Sequence, residues 1–312
     1  MRVLVTGGAG FIGSHVCDAF VARGNEVCVI DNLSRGQIGR VPEGTEVCKA
    51  SILDAPALTA LVAEFRPELI CHLAAQVDVR VSVEFPSKDA EANVIGMINV
   101  LDAARVVGAR VIFSSTGGAI YGEGARIPSP EETLPEPSSP YGVGKYCAEQ
   151  YIGLYNRMFG TAHAILRFAN VYGPRQGGAG EAGVVSIFCG NGIHGKPITI
   201  YGDGQQTRDY VYVGDCVAAF LAAADFGQAG IWNIGSGTEV SVLDLAGLVA
   251  GLTGRRSELV FAPARAGELL RSALAWERAG RDLGWRPATS LADGLQAVVG
   301  WFAAGAPDRT SR

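Results

Sequence analysis

Short apolar runs alternate with amphipathic stretches through the first two-thirds of the chain. The strand-like runs are VLVTG, EVCVID, VCKAS, ELICHLAA, RVIFSST and AHAILRFAN. Stretches with helical spacing lie between them, at about 14–23, 56–65 and 93–107, and a long one follows Tyr141. Continuous apolar strands separated by helices are typical of a parallel sheet that is covered on both faces. The pattern therefore predicts an α/β fold with a doubly wound parallel sheet of the Rossmann type.

The alternation becomes irregular after Asn170. Short strand-like segments (KPITIYGDG, RDYVYVGD and GIWNIGS) mix with helical stretches near 184–194, 215–225, 241–252 and 276–283. This change indicates a smaller, mixed α/β domain in the C-terminal part of the chain. We predict a first domain of residues 1–170 plus 210–236 and a second domain of residues 171–209 plus 237–312.

Composition narrows the class of protein. The chain has 312 residues, of which 48% are hydrophobic and 18% charged, as expected of a compact enzyme. A net charge of −5 argues against a nucleic-acid partner, and no apolar run is long enough for a membrane span. The N-terminus lacks the pattern of a signal peptide. The seven cysteines are scattered without a C-x-x-C pair, which predicts free thiols in the cytoplasm and no metal site.

A glycine-rich turn follows the first predicted strand. In VLVTGGAGFIG, Gly7 permits a tight turn, Gly10 lets backbone N–H groups approach a pyrophosphate, and Gly13 allows a helix to pack closely on the strand. Asp31 ends the next strand, where a carboxylate accepts ribose hydroxyls and repels a 2′-phosphate. We therefore expect NAD as the cofactor, although Arg35 lies close enough to leave some room for NADP.

Tyr141 and Lys145 are four residues apart, and hence on one face of the helix predicted there. Lysine is scarce in this chain, with four lysines against 22 arginines. A phenol has a pKa near ~10 and is a poor base at neutral pH. A nearby ammonium group favours the phenolate, so the pair suits proton abstraction from a hydroxyl group.

These motifs together resemble the extended short-chain dehydrogenase/reductase family. The matching segments are TGGAGFIG, HLAA (72–75), NVIGMINV from Asn93, LRFANVYGP (166–174) and RDYVYV (208–213), with Asp31, Tyr141 and Lys145. The chain is most similar to the nucleotide-sugar 4-epimerases of the UDP-glucose/UDP-galactose type. The resemblance covers nearly the whole chain and implies a homodimer formed by helices near 93–107 and 141–157.

The resemblance implies a reaction and its catalytic residues. Tyr141 removes the proton from the sugar 4-OH, Lys145 holds the cofactor ribose, and Thr116 bonds the 4-oxygen. Hydride passes from C4 to NAD and returns to the opposite face of a 4-keto sugar. Related dehydratases and decarboxylases carry acidic residues where this chain has Gly117 and Gly118. The glycines favour epimerisation, because elimination would lack its acid and base.

The resemblance also implies two sets of binding residues. The cofactor set comprises Gly7, Gly10, Phe11, Ile12, Gly13, Asp31, Asn32, Ser34, Ile52, Leu73, Ala74, Ala75, Asn93, Ser114, Tyr141 and Lys145. The UDP-sugar set, which places the nucleotide sugar on the second domain, comprises Thr116, Gly117, Gly118, Tyr141, Ala169, Asn170, Thr199, Tyr201, Arg208, Arg265 and Glu268. Ala169 and Ser272 replace bulkier residues of the family and imply a roomier sugar pocket.

Several alternatives remain at this point. The hexose is UDP-glucose, UDP-glucuronate or UDP-N-acetylglucosamine, since a few pocket contacts decide specificity. A 4,6-dehydratase, a decarboxylase or a 4-ketoreductase on the same scaffold is the second interpretation. A relative that binds NAD or RNA without catalysis is the third, and the presence of Thr116, Tyr141 and Lys145 disfavours it.

Overall fold

The computed structural model describes residues 1–177, 183–255, 257–264 and 269–306. In chain order the strands are β1 (Arg2–Thr6), β2 (Glu26–Asp31), β3 (Glu46–Lys49), β4 (Leu69–His72), β5 (Arg110–Thr116), β6 (Ala164–Phe168), β7 (Asn170–Tyr172), β8 (Ile198–Tyr201), β9 (Thr207–Arg208), β10 (Tyr210–Tyr212), β11 (Gly230–Ile234), β12 (Val240–Ser241) and β13 (Leu259–Ala262).

The helices, in the same order, are α1 (Phe11–Ala22), α2 (Ala55–Phe65), α3 (Val79–Glu84), α4 (Pro86–Ala90), α5 (Gly96–Val107), α6 (Gly117–Ile120), α7 (Pro140–Phe159), α8 (Val184–His194), α9 (Val213–Phe226), α10 (Val242–Thr253), α11 (Glu277–Leu283) and α12 (Leu291–Ala303). A 3₁₀ turn covers Ile38–Arg40, and a π turn over Glu91–Ile95 joins α4 to α5.

A parallel sheet forms the centre of the molecule. Among the described residues it has seven strands in the order β11–β6–β5–β4–β1–β2–β3. Thr6 at the end of β1 pairs with both Ile30 and His72, so the carboxyl ends of β1, β2 and β4 lie at one edge. The strand order reverses between β1 and β4, where ligands of such sheets bind. The predicted doubly wound parallel sheet is confirmed.

Helices cover both faces of this sheet. On one face α1 and α9 pack against the strands through residues such as Phe20 and Phe220. On the other face α2, α5 and α7 contribute residues such as Val62, Leu101 and Ile152. All five of these side chains are buried, which explains why their helices carry apolar residues at helical spacing.

A separate apolar cluster lies in the C-terminal part of the chain. It joins α8, β8, α10 and α12 through residues such as Phe188, Ile200, Leu245 and Val298. Leu274, Ala279 and Trp285 pack instead with the core beneath α1 and α9. The division of the chain at residues 170, 210 and 236 stays a prediction, and this packing favours placing residues 274–285 with the first domain.

The structure contains helices that the sequence pattern did not predict. Helices α3 and α4 are too short to show a helical period, and α12 lies in a stretch that we assigned to no element. The helix expected at 93–107 begins at Gly96, after the π turn that carries Asn93. These short elements bring several polar groups to helix α7.

Candidate active site

The turn between β1 and α1 has the geometry that its glycines predict. Gly7 has a φ of 72°, and its carbonyl accepts a hydrogen bond from Gly10 N at 3.1 Å. A Cβ on Gly13 would lie 2.2 Å from Gly7 O, so only glycine permits this approach of α1 to the turn. A Cβ on Gly7 would lie 2.7 Å from the backbone nitrogen of Ala74, which brings the loop after β4 against the turn.

This turn fits a pyrophosphate. Gly10 caps α1 without a side-chain hydrogen bond, so backbone N–H groups at the start of the helix, at Phe11, Ile12 and Gly13, point outward. A Cβ on Gly10 would meet only Gly7 O, at 3.2 Å, and the rest of its surroundings is open. An anion bound here would gain from both the N–H donors and the helix dipole.

Asp31 lies buried at the end of β2. Its carboxylate accepts hydrogen bonds from Ala9 N at 3.1 Å and from Leu33 N at 2.8 Å. A carboxylate has about four acceptor sites, so capacity for ribose hydroxyls remains. A Cβ on Gly36 would lie 2.8 Å from Asp31 Oδ1, and this glycine was missed by the sequence analysis. The position of Gly36 in the loop directly after β2, five residues after Asp31, was the feature that could have indicated it.

The remaining cofactor residues lie near this edge of the sheet or beneath it. Asn32 Oδ1 accepts a hydrogen bond from Ser34 N at 3.0 Å, which closes the turn after Asp31. Leu73 N donates to Thr6 O at 3.0 Å, and Ala74 and Ala75 follow it in the same half-buried loop. Ile52 is buried beneath Gly96, where a Cβ would lie 2.5 Å from Ile52 Cδ1. Their contacts with NAD stay predictions.

Tyr141 and Lys145 lie in the first two turns of α7. Ser139 caps this helix, since its hydroxyl accepts a hydrogen bond from Gly142 N at 3.2 Å. Tyr141 N donates to the Ser82 hydroxyl at 3.2 Å, and this contact ties α7 to α3. Lys145 is only 3% exposed, and its ammonium donates to Ser114 O on β5 at 3.0 Å. The expected pair thus lies at the carboxyl end of β5.

Electrostatics at this pair depend on burial and on nearby charges. Burial and the charge of Asp89 raise the pKa of Tyr141, while a hydrogen bond with the Thr116 side chain lowers it. Burial lowers the pKa of Lys145 to about 8, against the opposing charges of Asp89 and Glu149. The Lys145 ammonium lies 5.9 Å from the centre of the Tyr141 ring. Tyr141 needs a positive neighbour to ionise at neutral pH, and Lys145 is placed to provide one.

Asn93 belongs to a polar cluster that the sequence analysis did not anticipate. Its amide donates to Gln76 O and to Asp89 Oδ1, both at 3.0 Å, and accepts from Gln76 N at 3.1 Å. The Asn93 side chain therefore supports the loop after β4, and its direct contact with NAD stays a prediction. Asp89 and Asn93 are four residues apart, a spacing that would have suggested the contact.

Several of the predicted substrate residues lie at the ends of β5, β6 and β7. A Cβ on Gly118 would lie 3.1 Å from Asn170 Oδ1, so these two positions are neighbours. Ala169 is buried beside them, and Arg208 is half-buried with its guanidinium donating to Thr207 O at 2.8 Å. The structure thereby brings Gly118, Ala169 and Asn170 together close to Thr116.

Gly117 has a different neighbour. A Cβ at this position would lie 2.4 Å from Leu274 Cδ1, and Leu274 is fully buried. Core packing against the C-terminal segment therefore requires this glycine. On β8, Tyr201 is half-buried and its phenol acts electrostatically on Arg80, whereas Thr199 is exposed.

Two predicted substrate residues, Arg265 and Glu268, lie outside the described residues.

A buried ionic network joins α7 to strands β5 and β6 of the central sheet. Arg167 on β6 donates to Glu149 at 3.0 Å through Nε and to the Tyr121 hydroxyl at 2.8 Å. Glu149 also accepts from the Ser115 hydroxyl on β5 at 2.5 Å. Arg167 and Glu149 are almost fully buried, and each satisfies the other's charge. This network fixes α7 relative to the strand that carries Ser114 and Thr116.

Comparisons with known proteins agree with this geometry. Residues 3–235 match the model of the NAD dependent epimerase/dehydratase family. The chain belongs to this family. A UDP-glucose 4-epimerase of Mycolicibacterium smegmatis is 43% identical over 97% of this chain and 98% of that protein.

Solved structures of the family are similar over the full fold. A UDP-glucose 4-epimerase of Thermotoga maritima, solved with UDP-glucose, has a TM-score of 0.96 at 44% identity, covering 98% of this chain and 99% of that chain. The Thermus thermophilus UDP-glucose 4-epimerase, solved in complex with NAD, has a TM-score of 0.92 at 41% identity, covering 97% and 99%. Membership confirms the expected resemblance, the type of enzyme and NAD as the cofactor.

Two other kinds of feature are absent from the described residues. They contain no helix that is both long and apolar enough to cross a membrane. They also contain no group of three or more histidine, cysteine or acidic side chains arranged to hold a metal ion.

Proposed function

We propose that the protein interconverts the C4 epimers of a UDP-hexose, with UDP-glucose as the first candidate. The observation that carries this proposal is the meeting of the Thr116 and Tyr141 side chains at the end of β5, with the buried Lys145 alongside. The Thermotoga maritima relative solved with UDP-glucose supports the choice of sugar. UDP-glucuronate and UDP-N-acetylglucosamine are further candidates, because the small residues Ala169 and Ser272 would leave room for a larger sugar.

In the proposed reaction the protein moves one proton at the sugar 4-oxygen. Thr116 holds this oxygen by a hydrogen bond, and the Tyr141 phenolate accepts the proton of the 4-OH. When bound, NAD supplies the acceptor and later the donor of the C4 hydride. Lys145 stabilises the phenolate and binds the cofactor ribose. The 4-keto sugar then rotates in the site so that its opposite face meets the cofactor. Tyr141 returns the proton to the 4-oxygen.

The glycine pair after Thr116 supports epimerisation over elimination. A dehydratase or decarboxylase of this family needs a carboxyl group next to the reacting ring, and this chain has glycine at both positions. Leu274 closes the space beside Gly117, and Asn170 lies beside Gly118. With no acid or base for elimination, the ketone accepts hydride again.

We propose that the UDP portion binds beside β7, β8 and β9. Asn170 and Arg208 would hold the diphosphate, where an arginine forms charge-assisted hydrogen bonds. Thr199 and Tyr201 would flank the uracil, and Arg265 and Glu268 would hold the second phosphate and the ribose.

We also propose a homodimer in the cytoplasm. Exposed apolar side chains lie along α5 and α7 and the turn before α5, including Ile95, Val143, Leu154, Met158 and Phe159. Such a patch is typical of a protein–protein interface. All seven cysteines are free and five are buried, which suits a reducing compartment.

Proton NMR of the sugar anomeric signal tests the function. Purified protein with NAD is incubated separately with UDP-glucose, UDP-glucuronate and UDP-N-acetylglucosamine. We expect UDP-glucose to convert to its C4 epimer without a stable ketone or CO₂. A 4-keto product or a pentose would instead establish a dehydratase or a decarboxylase, and no conversion of any sugar would overturn the proposal.

A further inference from the structure

Asp89 on α4 is a buried carboxylate that the proposed mechanism does not use. It is only 1% exposed, and its Oδ1 accepts hydrogen bonds from Gln76 Nε2 at 2.8 Å and Asn93 Nδ2 at 3.0 Å. Its Oδ2 is buried without a hydrogen-bond partner among the described residues. Burying an ionised carboxylate is costly unless a positive charge compensates for it. This orphaned oxygen therefore calls for an explanation.

The orphaned oxygen lies against the catalytic helix. A Cβ on Gly144 would lie 3.1 Å from Asp89 Oδ2, and Gly144 stands between Tyr141 and Lys145 in the sequence of α7. Glycine at this position allows the carboxylate to approach the helix backbone. All four lysines lie within the described residues, and Lys145 is the buried one. Asp89 is thus fixed by two amides against Gly144, the residue before the one lysine that burial would tend to discharge.

We propose that Asp89 is a positioning residue for the Tyr141–Lys145 pair, keeping Lys145 protonated and setting the pH range in which the pair works. This inference rests on the proposed function for its catalytic meaning, but the charge on Lys145 can be measured without it. Asp89 does not need to touch the substrate or NAD, because its charge acts through the interior of the protein, where screening is weak.

The charge of Asp89 shifts the pKa values of Tyr141 and Lys145 in the same direction. The charge of Asp89 raises the pKa of Lys145 and also that of Tyr141. Glu149 acts on Lys145 in the same sense, but its own charge is matched by Arg167. Removing the Asp89 charge should therefore lower both pKa values, which makes the phenolate easier to form and the ammonium easier to lose.

Other charged or titratable groups lie on the elements that pack against α4. They are Asp78 before α3, Arg80 and Glu84 on α3, Lys88 on α4 itself, Glu91 on the π turn, and Tyr141, Lys145, Tyr146, Cys147, Glu149, Tyr151, Tyr155 and Arg157 on α7. Arg80 pairs with Asp78 at 3.0 Å, and Glu84, Lys88 and Glu91 are exposed. Within the described part of the chain, Tyr141 and Lys145 are the groups whose pKa values the Asp89 charge displaces.

The test is a titration of Lys145 by NMR on the full chain labelled with ¹³C at lysine Cε. Four signals are expected, and Lys145→Met identifies the buried one. In the unmodified protein Lys145 should titrate near pH 8, below the ordinary range of a lysine. Asp89→Asn keeps an acceptor for Gln76 and Asn93 but removes the charge. It should lower the Lys145 titration by about one pH unit. Glu91→Gln, an exposed change on the same segment, should leave it unchanged.

The dependence of kcat on pH provides the second measurement. Asp89→Asn should move both limbs of the profile to lower pH, whereas a purely structural role would reduce kcat at every pH and leave the limbs in place. Asp89→Ser, also neutral, serves if Asp89→Asn folds poorly. An unchanged Lys145 titration in a folded neutral variant overturns the proposal. The NMR titration tests the role of Asp89 even if no UDP-sugar is epimerised. Failure of this inference can therefore be distinguished from failure of the proposed function.

Discussion

Tyr141 is the residue on which the proposed chemistry depends most directly. Its backbone N–H, not its hydroxyl, is bonded to Ser82, so loss of the hydroxyl leaves the anchor of α7 intact. We expect Tyr141→Phe to lower kcat by about 10²–10⁴-fold, the usual contribution of a general base. Bound NAD, measured in the purified variant, should be retained. Near-normal turnover would move the role of base to another group.

The two glycines after Thr116 should respond differently to substitution. Gly118→Ala places a methyl group 3.1 Å from Asn170 Oδ1, so KM for the UDP-sugar should rise several-fold while the thermal midpoint stays within error. Gly117→Ala meets the buried Leu274 side chain and should cost about 1–3 kcal/mol of the free energy of unfolding, as overpacking does. Steady-state kinetics and urea unfolding separate the effects.

Gly247→Ala is the matched control for this pair, because a Cβ there would contact no atom beyond the neighbouring backbone of its own helix α10. It should leave KM unchanged and raise the free energy of unfolding by about 0.5–1 kcal/mol, because alanine favours a helix interior over glycine. The interpretation fails if Gly117→Ala and Gly118→Ala behave alike.

At the scale of elements, the β1–α1 turn is the most constrained unit. Gly13→Ala would place a methyl group 2.2 Å from Gly7 O, which is backbone and has no room to move. We expect the N-terminus of α1 to shift and the affinity for NAD to fall at least tenfold, measured by calorimetry. Gly251→Ala, in an open position on α10, should bind NAD normally. Unchanged NAD affinity in Gly13→Ala would show that the pyrophosphate lies elsewhere.

Elements differ in how well their sequences predicted them. The long helix α7 was predicted with its Tyr141–Lys145 face, because a helix of this length shows a clear period and begins at Ser139-Pro140. The short helices α3 and α4 were missed, since five or six residues carry too little periodicity. Asp89 was missed with them, although it lies against Gly144 of α7.

At the scale of the whole molecule, buried histidines should make stability depend on pH. His163 is 2% exposed and accepts a hydrogen bond from Val111 N at 3.0 Å, and burial lowers its pKa from 6.5 to about 4. Below pH ~6.5 the unfolded chain binds a proton that the folded protein refuses. Stability is therefore fully present above that pH and is lost as the pH falls toward the folded pKa.

His163→Asn tests this dependence, because the amide oxygen can replace the accepting nitrogen. Between pH 7 and pH 5, the free energy of unfolding of the variant should fall by about 2 kcal/mol less than that of the unmodified protein. Urea unfolding at the two pH values measures the difference. Equal losses in both proteins would contradict the assignment. His72, whose pKa burial and Lys145 lower to about 3, should add a similar dependence.

The proposed dimer is a second prediction at this scale. Light scattering after size exclusion should give about twice the mass of the chain. Met158→Glu, which puts a charge into the exposed apolar patch of α7, should shift the mass toward the monomer. Val106→Glu puts a charge at an exposed apolar position on α5, and its mass shows whether α5 also belongs to the interface. A monomer at all concentrations in the unmodified protein would contradict the proposal.

The sequence by itself determined the fold class, the glycine turn between β1 and α1, and the Tyr141–Lys145 face. These features depend on local patterns: strand and helix periods, glycines that a tight turn requires, and residues four apart on one helix. Only the tertiary structure decided that Leu274 lies over Gly117, that Asp89 meets Gly144, and that Arg167 pairs with Glu149. These partners come from different elements, and their contacts follow from how the helices pack on the sheet, which no local pattern encodes.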